Sequence, residues 1–339
     1  MNKSVRLSDV AFEANTSPKT ASRVINGDPR VSPDTKKRVN DAIEKLGYRV
    51  DLLARSLRKG VDETIGVVVP SIGDSFFAAA IEAIEQVVLQ RGIQLIISSN
   101  HNEPEKEIQI IQQFEQRRVS GMIITPNQAD YSFMKNRRTP IVFFDRLPRN
   151  YVDDVVLVQD FDGAQLAIEH LIKHGHRRIV FISDSHEIST ARLRFEGYKR
   201  ALKKNNIPFD SELVTTAGAE SNSAHAEIAN MFRRGLDFTA IFSSRSAISI
   251  GVVKVLHEMR RTDIAFVSFG DFELAEVLMP HISVIDHSPA DLGRLAANRL
   301  LAKIDRPMAK KEVIYSSLNL IERGSGELPL EEVDNVRFA

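Results

Sequence analysis

From Thr64 to about residue 304 the chain alternates short apolar runs with amphipathic stretches, and this leaves few folds open. Ile65-Gly-Val-Val-Val-Pro is a continuous apolar run closed by a turn residue, the pattern of a strand buried on both faces. Similar runs recur at 94–98, 121–125, 140–144, 178–182, 213–216, 240–243 and 264–269. Helical patterns separate or follow them at 77–91, 104–118, 162–174, 190–205, 221–235, 247–260 and 289–304. Such regularity predicts parallel sheets with helices on both faces, which bind ligands at the carboxyl ends of their strands. About eight or nine strands are too many for one compact half. Two similar subdomains facing a cleft are expected.

The first sixty residues have a different texture. Val10, Ala11, Ala14, Ala21 and Val24 recur at three- and four-residue steps, giving two short helices one small apolar face each. Asn15, between them, tolerates a left-handed backbone. Ser17 offers an N-cap oxygen and Pro18 falls at the first helical position, where a missing N–H costs nothing. Lys19, Thr20, Ser22, Arg23 and Asn26 then supply donors of the kind that read base edges and phosphates. Ser32-Pro33-Asp34-Thr35 starts a third helix the same way, and Gly47 is placed to end it. The expected head is a helix-turn-helix with a very small core.

Charge follows this division. The 339 residues carry 45 basic and 45 acidic side chains, yet residues 1–60 alone are net +6 and the remainder net −6. A basic head on an acidic body suits a polyanion held at one end. Zero cysteines exclude disulfides and thiolate metal sites. No apolar run is long enough for a membrane span, and the N-terminus lacks a secretory pattern, so a cytosolic protein is expected. Residues 48–60 place Leu53, Ala54 and Leu57 on one helical face flanked by Arg55, Arg58 and Lys59. A segment this short needs a partner to be helical. It is either a hinge that folds on DNA and wedges Leu57 into the minor groove, or an amphipathic linker packed on the next domain.

At this point the chain resembles the lactose-repressor (LacI/GalR) family of bacterial transcription regulators. The resemblance runs along essentially the whole length. It rests on Asp9-Val-Ala, Thr20-Ala-Ser-Arg-Val-Ile-Asn-Gly, Val31-Ser-Pro-Asp-Thr, Leu46-Gly-Tyr and Ala54-Arg-Ser-Leu. Further on it rests on Phe76-Phe77, Phe143-Phe-Asp-Arg, His170-Leu-Ile-Lys-His-Gly-His, Ser189-Thr-Ala-Arg-Leu-Arg-Phe-Glu-Gly-Tyr and Leu292-Gly. It implies an α/β chain with a three-helix helix-turn-helix head over 1–47 and a hinge helix over 48–62. The core would resemble periplasmic binding proteins, with one subdomain over 63–160 and 287–315 and the other over 161–286 and 316–335.

It also implies a homodimer on a near-palindromic DNA operator, cytoplasmic and nucleoid-associated when bound. A small-molecule effector would sit between the subdomains, with no catalytic or metal centre. Carried over, Pro18, Lys19 and Arg23 occupy base-reading positions, and Leu57, beside Ala54, is the intercalating hinge leucine. Pro18 has no polar group, so base reading falls to Lys19 and Arg23. In the head and hinge, two positions depart from the family. Val50 stands where proline usually starts the hinge helix, and Arg6 replaces a Ser/Thr cap, a loss on the order of 1 kcal/mol.

For the effector, the resemblance implies Phe76, Phe77, Asp145, Thr190, Arg194, Arg245 and Asp271. Arg245-Ser246 and Gly270-Asp271 replace the usual Asn-Asp and Asp-Asp pairs. The effector expected is a sugar, sugar acid or sugar phosphate; a cation gained and an acid lost predict one with an anionic group, held by Arg194 and Arg245. The alternative is that Arg245 pairs with Asp271 or Asp160 and touches no ligand.

Other constellations carry less. His170, His174 and His176 have metal-like spacing but suit a helix C-terminus. Ser183-Asp184-Ser185-His186 holds triad residue types consecutively, whereas triads are assembled across a fold. Gly324-Ser-Gly lacks the context of a nucleotide loop. The rivals are a transporter's solute-binding protein, opposed by the basic head, and a nucleotide-binding α/β enzyme, opposed by the missing phosphate loop.

Overall fold

A computed structural model describes residues 5–25, 27–48, 62–127, 130–135, 137–218 and 221–329. The chain divides into two compact units, Met1–Asp62 and Glu63–Ala339. The expected hinge over 48–62, with Val50, Ala54 and Leu57, falls almost entirely outside the described residues, as does Asn26.

In the first unit, α1 (Leu7–Glu13), α2 (Pro18–Ile25) and α3 (Pro33–Leu46) enclose a core of Val10, Ala11, Ala14, Ala21, Val24, Val39 and Ala42. These are small side chains, so the ends of the helices matter. Asn15 turns the chain at φ 48°. Ser17 Oγ accepts from the Thr20 N–H at 3.1 Å and caps α2. Ser32 caps α3, and Gly47 ends it left-handed at φ 61°. The loss at Arg6 is partly made good: its backbone N–H donates to the Asp9 carboxylate at 2.8 Å, the return half of a capping box.

The second unit holds two six-stranded sheets. The first runs β11 (Val313–Tyr315), β5 (Asp154–Leu157), β4 (Ile141–Phe144), β3 (Val119–Ile124), β1 (Asp62–Val69), β2 (Gln94–Ser99). The second runs β12 (Asn319–Ile321), β10 (Ser283–Asp286), β9 (Ala265–Phe269), β8 (Ala240–Ser243), β6 (Ile179–Ser183), β7 (Val214–Thr216). The chain therefore passes between the sheets three times, after β5, after β10 and after β11. Neighbours pair in parallel wherever register is defined, except β12, which runs antiparallel to β10.

The helices are α4 (Ser75–Leu89), α5 (Pro104–Gln116), α6 (Asp160–Lys173), α7 (Ser189–Lys204), α8 (Ser221–Arg233), α9 (Ser246–Glu258) and α10 (Pro289–Asp305). Their ends lie within a few residues of the sequence reading. The strand count was too low. β5, β10, β11 and β12 have three or four residues each, too few to show a period, and lie where the chain changes sheets. α10 rests on α4 at Gly293, where a Cβ would stand 2.3 Å from the Ala80 carbonyl oxygen. We call each sheet with its helices a lobe.

Candidate functional site

Two surfaces collect the residues singled out from sequence. On α2 the apolar face, Ala21 and Val24, is buried, so the polar side turns outward. Ser17, Pro18 and Lys19 are exposed, Thr20 and Ser22 half-buried. The Arg23 side chain is 46% exposed, with Nε 3.2 Å from Asp28 Oδ2. Arg30 holds the same carboxylate through two donors, at 2.9 and 2.8 Å. Asp28 was not anticipated. Gly27, left-handed at φ 72°, lets the Asp28 N–H reach the Arg23 carbonyl, which delivers the acid beside the guanidinium.

The other surface is a cavity of about 50 Å³ between the strand ends of the two lobes. Phe76, Phe77, Asp145, Thr190, Arg194 and Arg245 all line it. Asp271 does not. It follows Gly270, at φ 91°, and is held away by Arg323 at 2.8 and 2.6 Å. Asp74, Arg146, Asp184, Ser246, Phe269 and His287 complete the wall.

The strand-end rule accounts for Arg146 and Asp184, which lie within two residues of the ends of β4 and β6. His287 follows β10, a strand the sequence did not reveal. Asp145 sits at the end of β4 with φ 69°, a left-handed conformation that costs energy and turns its carboxylate into the cavity.

The charges of this cavity are engaged with one another. Arg194 donates to Asp160 Oδ1 at 2.7 Å and to the Ser244 carbonyl, and its guanidinium lies 3.8 Å from the Phe269 ring centre. Arg245 donates to Asp184 at 2.9 Å and to Asp74 at 2.6 Å. The expected alternative partners of Arg245 are thus both taken, Asp160 by Arg194 and Asp271 by Arg323.

Asp74 is fixed from behind, because it caps α4 by accepting from the Phe76 N–H at 3.0 Å. Burial lowers the Arg245 guanidinium, but Asp184 and Asp74 outweigh it and the net shift is upward. Burial pushes the Asp145 carboxyl up against the opposing pull of Arg146 and Arg194. It pushes Asp160 up to about 6, again against Arg194. His287 is buried beside Arg194 and falls to about 3, so its ring is neutral at physiological pH.

Behind the wall a second polar layer appears that no sequence signal marked. Arg146 Nη1 donates to Asn102 Oδ1 at 3.0 Å, the Asn102 N–H to Asn100 Oδ1 at 2.9 Å, and Asn100 Nδ2 to Glu107. Glu107 also accepts from the Asn127 N–H at 2.9 Å, and burial raises it to about 8.

The histidines at 170, 174 and 176 are engaged separately. His174 Nδ1 meets the His170 carbonyl, His170 meets Glu327, and His176 lies between Thr239 and the Leu328 carbonyl. His186 stacks on Phe195, while its neighbour Asp184 faces the cavity.

Comparison with known proteins finds a matching family in each of the two units. Residues 6–51 match the family described as bacterial regulatory proteins, lacI family, and residues 168–326 match a periplasmic binding protein-like domain. The transcriptional regulator GalR of Escherichia coli K12 is 29% identical over 336 residues, covering 97% of this chain and 98% of its own. The chain joins a lacI-family DNA-binding head to a periplasmic binding protein-like core and is homologous to GalR and the lac repressor.

The ribose operon repressor of the same strain, 28% identical over 326 residues, covers 94% of this chain and 99% of its own. Among solved structures, the lac repressor dimer bound to operator and the anti-inducer ONPF superposes with a TM-score of 0.85 at 25% identity. That match spans 96% of this chain and 99% of the lac repressor chain. The chain is accordingly a DNA-binding transcriptional regulator rather than an enzyme. Among the described residues, no helix is long and apolar enough to cross a membrane.

Proposed function

We propose that this lacI-family regulator works in the cytoplasm as a homodimer that sets two heads on a near-palindromic operator and represses a carbohydrate-utilisation operon. A small molecule bound between the lobes controls it. The observation that carries this reading is the outward polar face of α2, with Lys19 and Arg23 exposed on a helix whose other face is buried. Lys19 and Arg23 read base edges, Ser17, Thr20, Ser22 and Asn26 hold register on the phosphates, and Leu57 opens the minor groove. Two-fold symmetry in the protein calls for two-fold symmetry in the site.

Relatives support the class of effector: the ribose operon repressor by its name, and a regulator CelR solved with cellobiose by its fold, at 23% identity and TM-score 0.71. The lobes respond to the ligand, and a coupling of about 1–3 kcal/mol to DNA binding is enough for a graded switch. A gel shift over a salt series, with the protein's own upstream DNA, tests the reading. Affinity is expected to fall log-linearly with salt as phosphate contacts release counterions. Absence of any shift below about 50 mM salt, with and without candidate sugars, rejects it.

A further inference from the structure

The cavity between the lobes is far smaller than the ~300–1,000 Å³ of ordinary ligand sites. At about 50 Å³ it has no room for a sugar as it stands. Any ligand must therefore part something, and the geometry shows what. Arg245 belongs to the second lobe, at the N-terminus of α9, and Asp184 follows β6 of that same lobe. Asp74 belongs to the first lobe. The 2.6 Å bond from Arg245 to Asp74 thus crosses the cleft, whereas the 2.9 Å bond to Asp184 does not.

Arg194 is placed otherwise. Its partners Asp160 and Ser244 both lie on the second-lobe side, so opening the cleft leaves it satisfied.

Opening separates two charges unequally. Asp74 retains the Phe76 N–H and the N-terminus of α4, a favourable place for a carboxylate. Arg245 retains Asp184 and loses one of its two anionic partners. A neutral ligand would leave that side of the guanidinium without a counter-charge in a site from which most water is excluded, and breaking such a pair is costly. An acid group on the ligand restores it, while a hydroxyl of the same ligand can donate to the Asp74 oxygen that Arg245 released.

We propose that the cleft takes an anionic, hydroxyl-bearing ligand by exchange: its carboxylate or phosphate replaces Asp74 on the Arg245 guanidinium, and breaking the Asp74–Arg245 bond is the binding step. The proposal rests on the reading of the cleft as the effector site. It makes Arg245 the residue that selects acids over neutral sugars, and Asp74 an internal competitor for the ligand's place.

The test is calorimetric titration of the full chain with matched pairs: gluconate against glucitol, glucuronate against glucose, and glucose 6-phosphate against glucose. At least one acid is expected to bind tenfold or more tightly than its neutral partner. Asp74→Asn keeps an N-cap oxygen but removes the competing charge, and should tighten that acid several-fold. Arg245→Gln should abolish the preference, with circular dichroism confirming that the variant is folded.

Neutral partners binding as well as the acids would overturn the proposal. So would an acid affinity that Arg245→Gln leaves unchanged, or no acid binding to Asp74→Asn at millimolar concentration. The gel shift fails or succeeds separately, so acid binding without any DNA shift would remove the regulator reading and leave this one standing. Whether a carboxylate or a phosphate is preferred is read directly from the three pairs.

Discussion

Arginine serves opposite purposes in the two units. In the head, Arg23 leaves nearly half its side chain in solvent and touches Asp28 at a surface where an ion pair is worth little. In the cleft, the Arg194 side chain is 8% exposed, with a carboxylate, a carbonyl and an aromatic face all in contact. The first residue is available because its neighbours hold it weakly. The second is spent on holding its neighbours. Residue type and family position do not separate the two cases; exposure and the partner's location do.

The contrast can be broken most readily at Arg194. Arg194→Ala strands Asp160, a buried carboxylate, and should cost about 3–5 kcal/mol of core stability. Denaturant unfolding of the full chain measures it, and a cost below ~0.5 kcal/mol would mean that the cleft arginine is as idle as a surface one.

In the head, Arg23→Ala or Lys19→Ala should leave unfolding within about 0.5 kcal/mol of wild type while removing about 1–3 kcal/mol of discrimination between the operator and single-base variants. Binding measured across a set of operator variants checks this. Equal losses on every sequence would make these side chains phosphate contacts instead.

A third prediction, on the pH dependence of stability, concerns Glu107. Its folded value, about 8, lies above the ordinary 4.5, so the native state holds a proton that the unfolded chain releases. That contribution to stability is present below about pH 4.5 and is lost as pH rises toward 8. Glu107→Gln should therefore flatten the decline in melting temperature between pH 5 and 8. Parallel curves for both proteins would show that Glu107 is already ionised.

What the sequence revealed depended on range. Caps, turns and the apolar steps of α1 to α3 are local, and Ser17, Asn15 and Gly47 all act where their neighbours in the chain suggested. Phe76, Phe77, Asp145, Thr190, Arg194 and Arg245 do converge on one cavity. Their partners were harder to see. Asp74 lies 171 positions from Arg245, and Arg323 lies 52 from Asp271. Nothing in the texture of one segment says which carboxylate another will meet once two sheets face each other. The acid at 28 was close in sequence, but its approach to Arg23 depends on the left-handed turn at Gly27.

The three passages between the lobes have a consequence for how the protein is made. The head is contiguous and finished when residue 48 clears the ribosome. The first sheet must wait for its edge strand Val313–Tyr315, and α4 for the helix Pro289–Asp305 that rests on it. At ~5–20 residues per second this is a delay on the order of 10–50 s. A message cut short before residue 289 would release a complete head attached to a lobe that cannot close. Such a fragment could meet DNA yet never hear the small molecule, so quality control of unfinished chains bears directly on how faithfully the cell's response follows its nutrient.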